Sequence, residues 1–208
     1  MKRVLFILAT SLFTLWSSAQ SLQFGVRGGS NISGESSHKY STDFSNSTDY
    51  RAGFNAGGVI NMKLSEKFDA EADILYSMQG FKQDIYTTVD GLYDEIIVQT
   101  VTSHYLNIPI VAKYYVTDGL YVECGPQVGF LLGRKNNVNM NEWNTDDPYE
   151  YSKSKKVDFG IAAGLGYAIN ENFFVNARYS FGFTGTSKIY DGGKNRNIQV
   201  SLGYLFAN

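Results

Sequence analysis

Between Phe68 and Gln79 the chain changes character at every residue. The even positions hold Phe68, Ala70, Ala72, Ile74, Tyr76 and Met78, and the odd ones Asp69, Glu71, Asp73, Leu75, Ser77 and Gln79. A period of two puts these sets on opposite faces of an extended strand, whereas a helix would mix them. The alternation returns through 157–169, 173–183 and 198–206, and more weakly through 22–31, 51–64, 104–116 and 120–133. Eight strands are therefore predicted, most at or above the roughly 9–11 residues that a tilted strand needs to cross a bilayer. No stretch beyond the N-terminal segment reads as a helix.

The connections alternate in length. Ser65-Glu66-Lys67, Thr117-Asp118-Gly119 and Asn170-Glu171-Asn172 are short, whereas 32–50, 80–103, 134–156 and 184–196 are long and polar. Short periplasmic turns and long extracellular loops are the habit of an all-β, eight-stranded antiparallel up-and-down transmembrane β-barrel. Three residues between apolar positions of like parity suit a type I turn closed by a left-handed residue. Gly119 and Asn172 fit that last place, while Lys67 fits it poorly and predicts strain or another turn. Asp90-Gly91 is a hairpin signal, so the third and fourth strands are expected to continue past the membrane as a ribbon. Pro109 and Pro126 fall inside the fourth and fifth strands of a barrel that has no free edge, which predicts a bulge or a broken ladder there.

One face of this cylinder is ionic. Arg27, Lys63, Asp69, Glu71, Asp73, Lys113, Glu123, Asp158 and Arg178 share it with glycines such as Gly25, Gly29, Gly57, Gly164 and Gly203. Small residues beside long charged ones suit a narrow lumen, where a charged chain must lie over a neighbour without a side chain. The short turns set Lys63 opposite Asp69 and Lys113 opposite Glu123, so an opposite-charge pair is expected in each hairpin. Such charges facing hydrocarbon would be costly; paired inside, they would plug the lumen. On the other face, Phe24, Phe68, Tyr114, Tyr167, Phe173, Tyr204 and Phe206 fall near the short-turn ends, and Phe54, Tyr76, Phe130, Phe159 and Phe183 near the loop ends. Two aromatic belts at those heights are expected at the membrane interfaces. The competing reading is a soluble lipocalin-like carrier, which would turn its apolar face inward around a ligand.

The N-terminus agrees with export. Lys2 and Arg3 precede an apolar run from Val4 to Trp16, and Ser17-Ser18-Ala19 offers small residues for cleavage. Residues 1–19 thus read as a cleaved signal peptide and 20–208 as the barrel domain. The single cysteine, Cys124, is too deep in the chain for a lipid anchor and has no partner for an internal disulfide. Eighteen basic against twenty acidic residues give a net charge of −2 without a basic stripe, which argues against nucleic acid as a partner.

Candidate chemistry is sparse. Asp69, Glu71 and Asp73 on one face would serve as acid–base groups or cation ligands, but basic residues within reach favour structural pairing. Ser37-His38 and Ser103-His104 are sequence neighbours, which strands point to opposite faces, so neither pair is a ready nucleophile and base. Trp143, Asp146, Asp147, Tyr149, Glu150 and Tyr151 in the third loop would grip a partner, a sugar or calcium, against the plainer reading of a solvated loop. Cys124 has lipid-facing parity, and the convergent ligands of a zinc site are missing. No catalytic residue, metal or cofactor is expected.

The stretch His104-Tyr105-Leu106-Asn107-Ile108-Pro109-Ile110-Val111-Ala112-Lys113-Tyr114 resembles the signature of the PorT-like outer-membrane β-barrel family. The opening Gly25-Val26-Arg27-Gly28-Gly29-Ser30-Asn31 and the closing Tyr204-Leu205-Phe206 are similar to that family as well. Asn107 replaces the Glu usual before its Ile-Pro, and Ala207-Asn208 extend past the aromatic end that barrel-assembly machinery reads. The resemblance implies a bacterial outer-membrane barrel but transfers no activity, since function does not follow from a shared fold. A monomer surrounded by outer-membrane lipid is expected, non-enzymatic and plugged. It would serve envelope integrity or present loops to an extracellular or secretion-system partner. A lipid-modifying barrel enzyme is the alternative.

Overall fold

The computed structural model describes residues 22–36, 48–89, 93–140, 143–146, 154–185 and 193–206. The signal segment, His38, Asp90-Gly91, Asp147, Tyr149, Glu150, Tyr151 and the last two residues lie outside them. Among the described residues the strands are β1 (Leu22–Glu35), β2 (Thr48–Lys63), β3 (Phe68–Val89), β4 (Tyr93–Tyr115), β5 (Leu120–Met140), β6 (Trp143–Asp146), β7 (Val157–Ala168), β8 (Phe173–Gly185) and β9 (Lys194–Leu205). Each pairs antiparallel with its neighbours, and the β1–β9 and β4–β5 ladders close a ring of eight in which β7 follows β5. β6 stands outside the ring and, among the described residues, pairs with the far end of β5.

The wall is inside-out by the standards of a soluble protein. Asp69, Lys113 and Arg178 are 4%, 2% and 2% exposed, whereas Phe173 and Leu202 are 42% and 52% exposed. Soluble monomers rarely tolerate an apolar surface of this extent, so hydrocarbon is the solvent that fits it. The carrier reading requires the reverse and falls away. Cys124 is on the outer, exposed face.

The strands run further than parity alone indicated. β3 and β4 pair as far as Val89 and Tyr93, β4 and β5 as far as Val98 and Asn139, and β5 with β6 from Asn137 to Asp146. One side of the barrel therefore rises beyond its neighbours as a sheet, through residues whose polarity reads as loop. The β3–β4 ribbon is the one expected around Asp90-Gly91; the extension of β5 and its pairing with β6 were concealed by the polar composition of 134–156, because backbone pairing needs no apolar face.

The ladders are interrupted in several places, among them β8–β9, whose register shifts between Phe181 and Gly185. Between Tyr50 and Asn55 the β2–β3 ladder slips by a residue, and nearby Gly80 has φ +153°, with Val101 O only 1.9 Å from where a Cβ would sit. Only glycine fits that backbone and that approach. On β5, Leu131 pairs with Tyr105 and Gly133 with His104, leaving Leu132 as a bulge that reverses inward parity beyond it. At the prolines the ladders break without changing register. β3–β4 pairing lapses between Ala72↔Ile110 and Leu75↔Asn107, beside the buried Pro109. β4–β5 pairing lapses between Pro109↔Gln127 and Ala112↔Cys124, beside Pro126. Each proline lacks the amide hydrogen its ladder needs.

The short turns depart from the predicted form. In all three, two successive amides converge on one carbonyl: Leu64 and Ser65 on Phe68, Val116 and Thr117 on Leu120, and Ile169 and Asn170 on Phe173. The first turn residue supplies a side-chain acceptor: Ser65 Oγ takes the Phe68 amide at 3.1 Å, Thr117 Oγ1 that of Leu120 at 3.1 Å, and Asn170 Oδ1 that of Phe173 at 2.7 Å. The determinant is thus the Ser, Thr or Asn that opens the turn. Gly80 is the glycine with positive φ among those described, so Gly119 does not serve through a left-handed backbone. It makes room for the Tyr167 ring, whose Cε2 lies 2.8 Å from its ideal Cβ position. The turn ending in Lys67 has the same hydrogen bonds as the others and needs no separate geometry.

Candidate functional site

The lumen between the short turns and mid-barrel is crossed by charge. β1 supplies Arg27, β3 Glu71 and Asp73, β4 Lys113, β5 Glu123 and β8 Arg178, all inward by strand parity and all buried. Arg27 donates from Nη1 to Asp73 Oδ2 and from Nη2 to Glu71 Oε1, both at 2.9 Å. Arg178 reaches three carboxylates: Nη1 to Asp73 Oδ2 at 2.6 Å, Nε to Glu123 Oε1 at 2.6 Å, and Nη2 to Glu123 Oε2 at 3.1 Å and Glu71 Oε1 at 3.2 Å. Lys113 Nζ bonds Glu71 Oε2. Three cations thus face three carboxylates, and the cluster is neutral as a whole. Burying each ion costs several kcal/mol, which only mutual pairing with good geometry offsets. Arginine's planar fork suits this role, since it can engage two acceptors at once.

Glycine makes the arrangement geometrically feasible. In the ladder, Gly164 of β7 lies between Glu123 and Arg178, so the Glu123–Arg178 contact passes over a residue with no side chain. Elsewhere aromatic rings occupy the spaces over lumen glycines. A Cβ on Gly203 would lie 2.1 Å from Phe174 Cζ, and one on Gly166 would lie 2.3 Å from Tyr121 Cζ. These rings floor the cluster: Arg27 Cζ stands 4.9 Å from the Phe174 centroid and Lys113 Nζ 4.8 Å from that of Tyr121, within cation–π range. Beneath them, on the short-turn side, opens a vestibule of ≈ 900 Å³ lined by Asn61, Lys63, Asp69, Tyr115 and Tyr121 among others.

The sequence pattern put the correct residues opposite each other but not the correct partners. Lys63 does stand across from Asp69, and Lys113 across from Glu123. Yet Lys63 is exposed at the vestibule, and Asp69 accepts from Asn61 Nδ2 and Tyr115 Oη, both at 3.1 Å. Glu123 takes Arg178 and Asn176 rather than Lys113. Asp158 is apart from the cluster, half-buried near the loop ends, where it accepts from Asn195 Nδ2 at 2.9 Å and the Thr184 amide at 3.3 Å. In a closed wall a long side chain reaches across the bore as easily as along the ladder, so register selects a face but not a partner.

Several lumen residues escaped sequence reasoning. Tyr105, Tyr121 and Phe174 are buried inside, although aromatic residues read naturally as lipid-facing. Their signal was parity, shared with Asn107, Glu123 and Arg178 respectively. Arg134, which pairs with Glu35 at 3.1 Å, had no such signal, because the Leu132 bulge reverses the alternation before it.

The outer face carries the aromatic residues expected in the two belts. Phe24, Phe68, Tyr114, Tyr167, Phe173 and Phe206 towards the short turns are exposed, as are Phe54, Phe130, Phe159 and Phe183 towards the loops. Tyr76 and Tyr204 are half-buried against neighbours. Phe68 packs on Tyr114 with centroids 5.0 Å apart, Phe173 on Tyr204 at 4.8 Å, and Phe54 on Tyr76 at 5.6 Å. His104 is outside too, 2.6 Å from the Tyr76 hydroxyl, while Ser103 is buried in the lumen, so these neighbours are on opposite faces. Among the described residues no three His, Cys, Asp or Glu side chains gather in a form that would hold a metal ion.

A closed eight-stranded wall, apolar outside, ionic inside and belted with aromatics, defines a bacterial outer-membrane β-barrel protein. Residues 18–188 match the model of the outer membrane protein beta-barrel domain family, and the chain belongs to that family. No curated protein matches it. Among solved structures, Neisserial surface protein A is similar at 10% identity over 90% of this chain and 100% of that one, with a TM-score of 0.53. OprG of Pseudomonas aeruginosa gives 15% identity over 91% of this chain and 98% of that one, with a TM-score of 0.45. The likeness to Neisserial surface protein A establishes the fold, and with the family match the protein is an outer-membrane barrel.

Proposed function

We propose that the barrel is non-enzymatic and non-conducting, and that its working part is the sheet raised above the membrane by β3, β4, β5 and β6. The observation that carries this reading is the neutral six-residue cluster drawn from β1, β3, β4, β5 and β8, which joins opposite sides of the bore. An eight-stranded interior is only wide enough for its own side chains, so a cluster bonded across it leaves no path for solutes. The raised sheet, by contrast, offers backbone edges on β3 and β6 that an extended segment of an extracellular or secretion-machinery protein would pair with. The separation of Ser103 from His104 supports the non-enzymatic reading. Envelope integrity is served by the same rigid wall. In this reading residues 1–19 are removed on export, assembly machinery recognises Tyr204-Leu205-Phe206, and the barrel is a monomer in outer-membrane lipid.

Planar-bilayer recording of the purified protein tests the closed lumen: no steady conductance is expected, and a large stable one would overturn it. Crosslinking of loop residues on intact cells, followed by capture, tests the sheet as a docking surface. Comparison of lipid A profiles with and without the protein addresses enzymatic activity, and an altered profile would contradict the non-enzymatic assignment.

A further inference from the structure

Cations are tolerated on the lipid face of a barrel only near the interfaces, so the place where two of them meet there is informative. Lys194 and Arg196 open β9 at its loop end, are exposed, and alternate with Asn195 and Asn197, whose side chains turn inward. Both cations lean over one ring on the outer wall: Lys194 Nζ is 5.8 Å and Arg196 Cζ 5.9 Å from the Phe181 centroid. On the other side of Arg196 the ladder partner is Gly34, and Tyr50 covers that glycine from β2, with Cδ1 3.1 Å from where a Cβ would sit. Tyr50 is itself 58% exposed. The row Tyr50, Gly34, Arg196, Phe181 thus brings a phenol and two cations to one patch of the outer rim. Exposed Ile32, Ile198 and Phe183 continue from it as hydrocarbon-facing wall.

Among the described residues, the carboxylates at this rim are placed against other groups. Glu35 pairs with Arg134, Asp158 accepts from Asn195 inside the wall, and Asp49 stands opposite Lys82 in the β2–β3 ladder. Among the described residues neither Lys194 nor Arg196 has an anionic partner. Two cations with no anionic partner among the described residues, both over Phe181 at the boundary of an apolar surface, suit an anion that arrives with acyl chains.

We propose that this patch binds the phosphate of a phosphorylated, polyacylated glycolipid of the outer leaflet. Lys194 and Arg196 hold the phosphate, and the acyl chains lie along Ile32, Ile198 and Phe183. The loop-end position selects the leaflet that faces the cell exterior, where such glycolipids reside.

Native mass spectrometry of the protein purified from membranes into dodecyl maltoside tests this with three probes. They are bis-phosphorylated lipid A, the same lipid A after removal of its phosphates, and dimyristoyl phosphatidylglycerol. Retention of the phosphorylated lipid A alone is expected, weakened about tenfold in a Lys194→Gln/Arg196→Gln protein, the loss that goes with hydrogen bonds to a charged group. Lys135→Gln, which removes an outward cation elsewhere on the rim, should leave retention unchanged. Heat-dependent gel mobility confirms that each variant is folded. Equal retention of the dephosphorylated lipid would overturn the proposal, as would equal binding of phosphatidylglycerol. An unaffected double variant, or an equal loss in Lys135→Gln, would do the same, the latter pointing to diffuse charge.

Discussion

Arg178→Met removes the hub of the lumen cluster while keeping much of its volume. Four donor contacts between 2.6 and 3.2 Å to Glu71, Asp73 and Glu123 disappear together. Two cations then face three carboxylates, and Glu123 retains Asn176 as its hydrogen-bond partner in the cluster. Deleting one member of a buried ion pair usually costs about 3–5 kcal/mol, because the remaining charge is left dehydrated and unmatched. A loss of that size is expected here. Glu123→Met alone should be similarly costly, since it leaves an unmatched guanidinium. The double variant restores two cations to two carboxylates, and should be more stable than the summed single losses by about 2–3 kcal/mol. The assay is urea titration of the protein in phospholipid vesicles, with the folded fraction read from heat-dependent gel mobility. Strict additivity, or a single-variant loss below about 1 kcal/mol as for a solvated pair, would refute the claim that these charges are dehydrated and mutually dependent.

The outer wall and the lumen glycines are open to equally direct tests. Val200→Arg, near the middle of β9 on the lipid face, should cost about 2–4 kcal/mol in the same titration. A neutral effect would mean that this surface meets water. Gly203→Val forces atoms into the Phe174 ring and should destabilise the barrel by about 1–3 kcal/mol as an overpacked interior does; unchanged stability would show that the ring moves freely. Cys124 should react with an apolar pyrenyl maleimide in membranes but resist a sulfonated one until detergent is added, and early reaction with the sulfonated reagent would place it away from hydrocarbon.

What the amino-acid sequence alone determined follows from the geometry of an extended chain. A strand alternates its faces at every residue, so Asp69, Glu71 and Asp73 had to share one side and Phe68, Ile74 and Tyr76 the other. Turn lengths then set the hairpin registers, and Lys63↔Asp69 and Lys113↔Glu123 are the pairs that result. Such information is local. It extends as far as the alternation is unbroken, and it stops at Leu132, where a single inserted residue reverses the rule and turns Arg134 inward unannounced.

Tertiary structure decided everything that crosses the bore. Arg178 and Glu71 are 107 residues apart, and no spacing rule links them. Wall closure brings β8 to face β3, and cross-lumen distance then gives Lys113 to Glu71 and Glu123 to Arg178. The raising of β5 and β6 into a sheet, and the placing of Lys194 beside Arg196 over Phe181, likewise depend on which strands become neighbours. Side-chain alternation is a property of the single strand and is legible residue by residue. The identity of a buried ion's partner depends on the curvature and closure of the whole cylinder, which only the folded chain possesses.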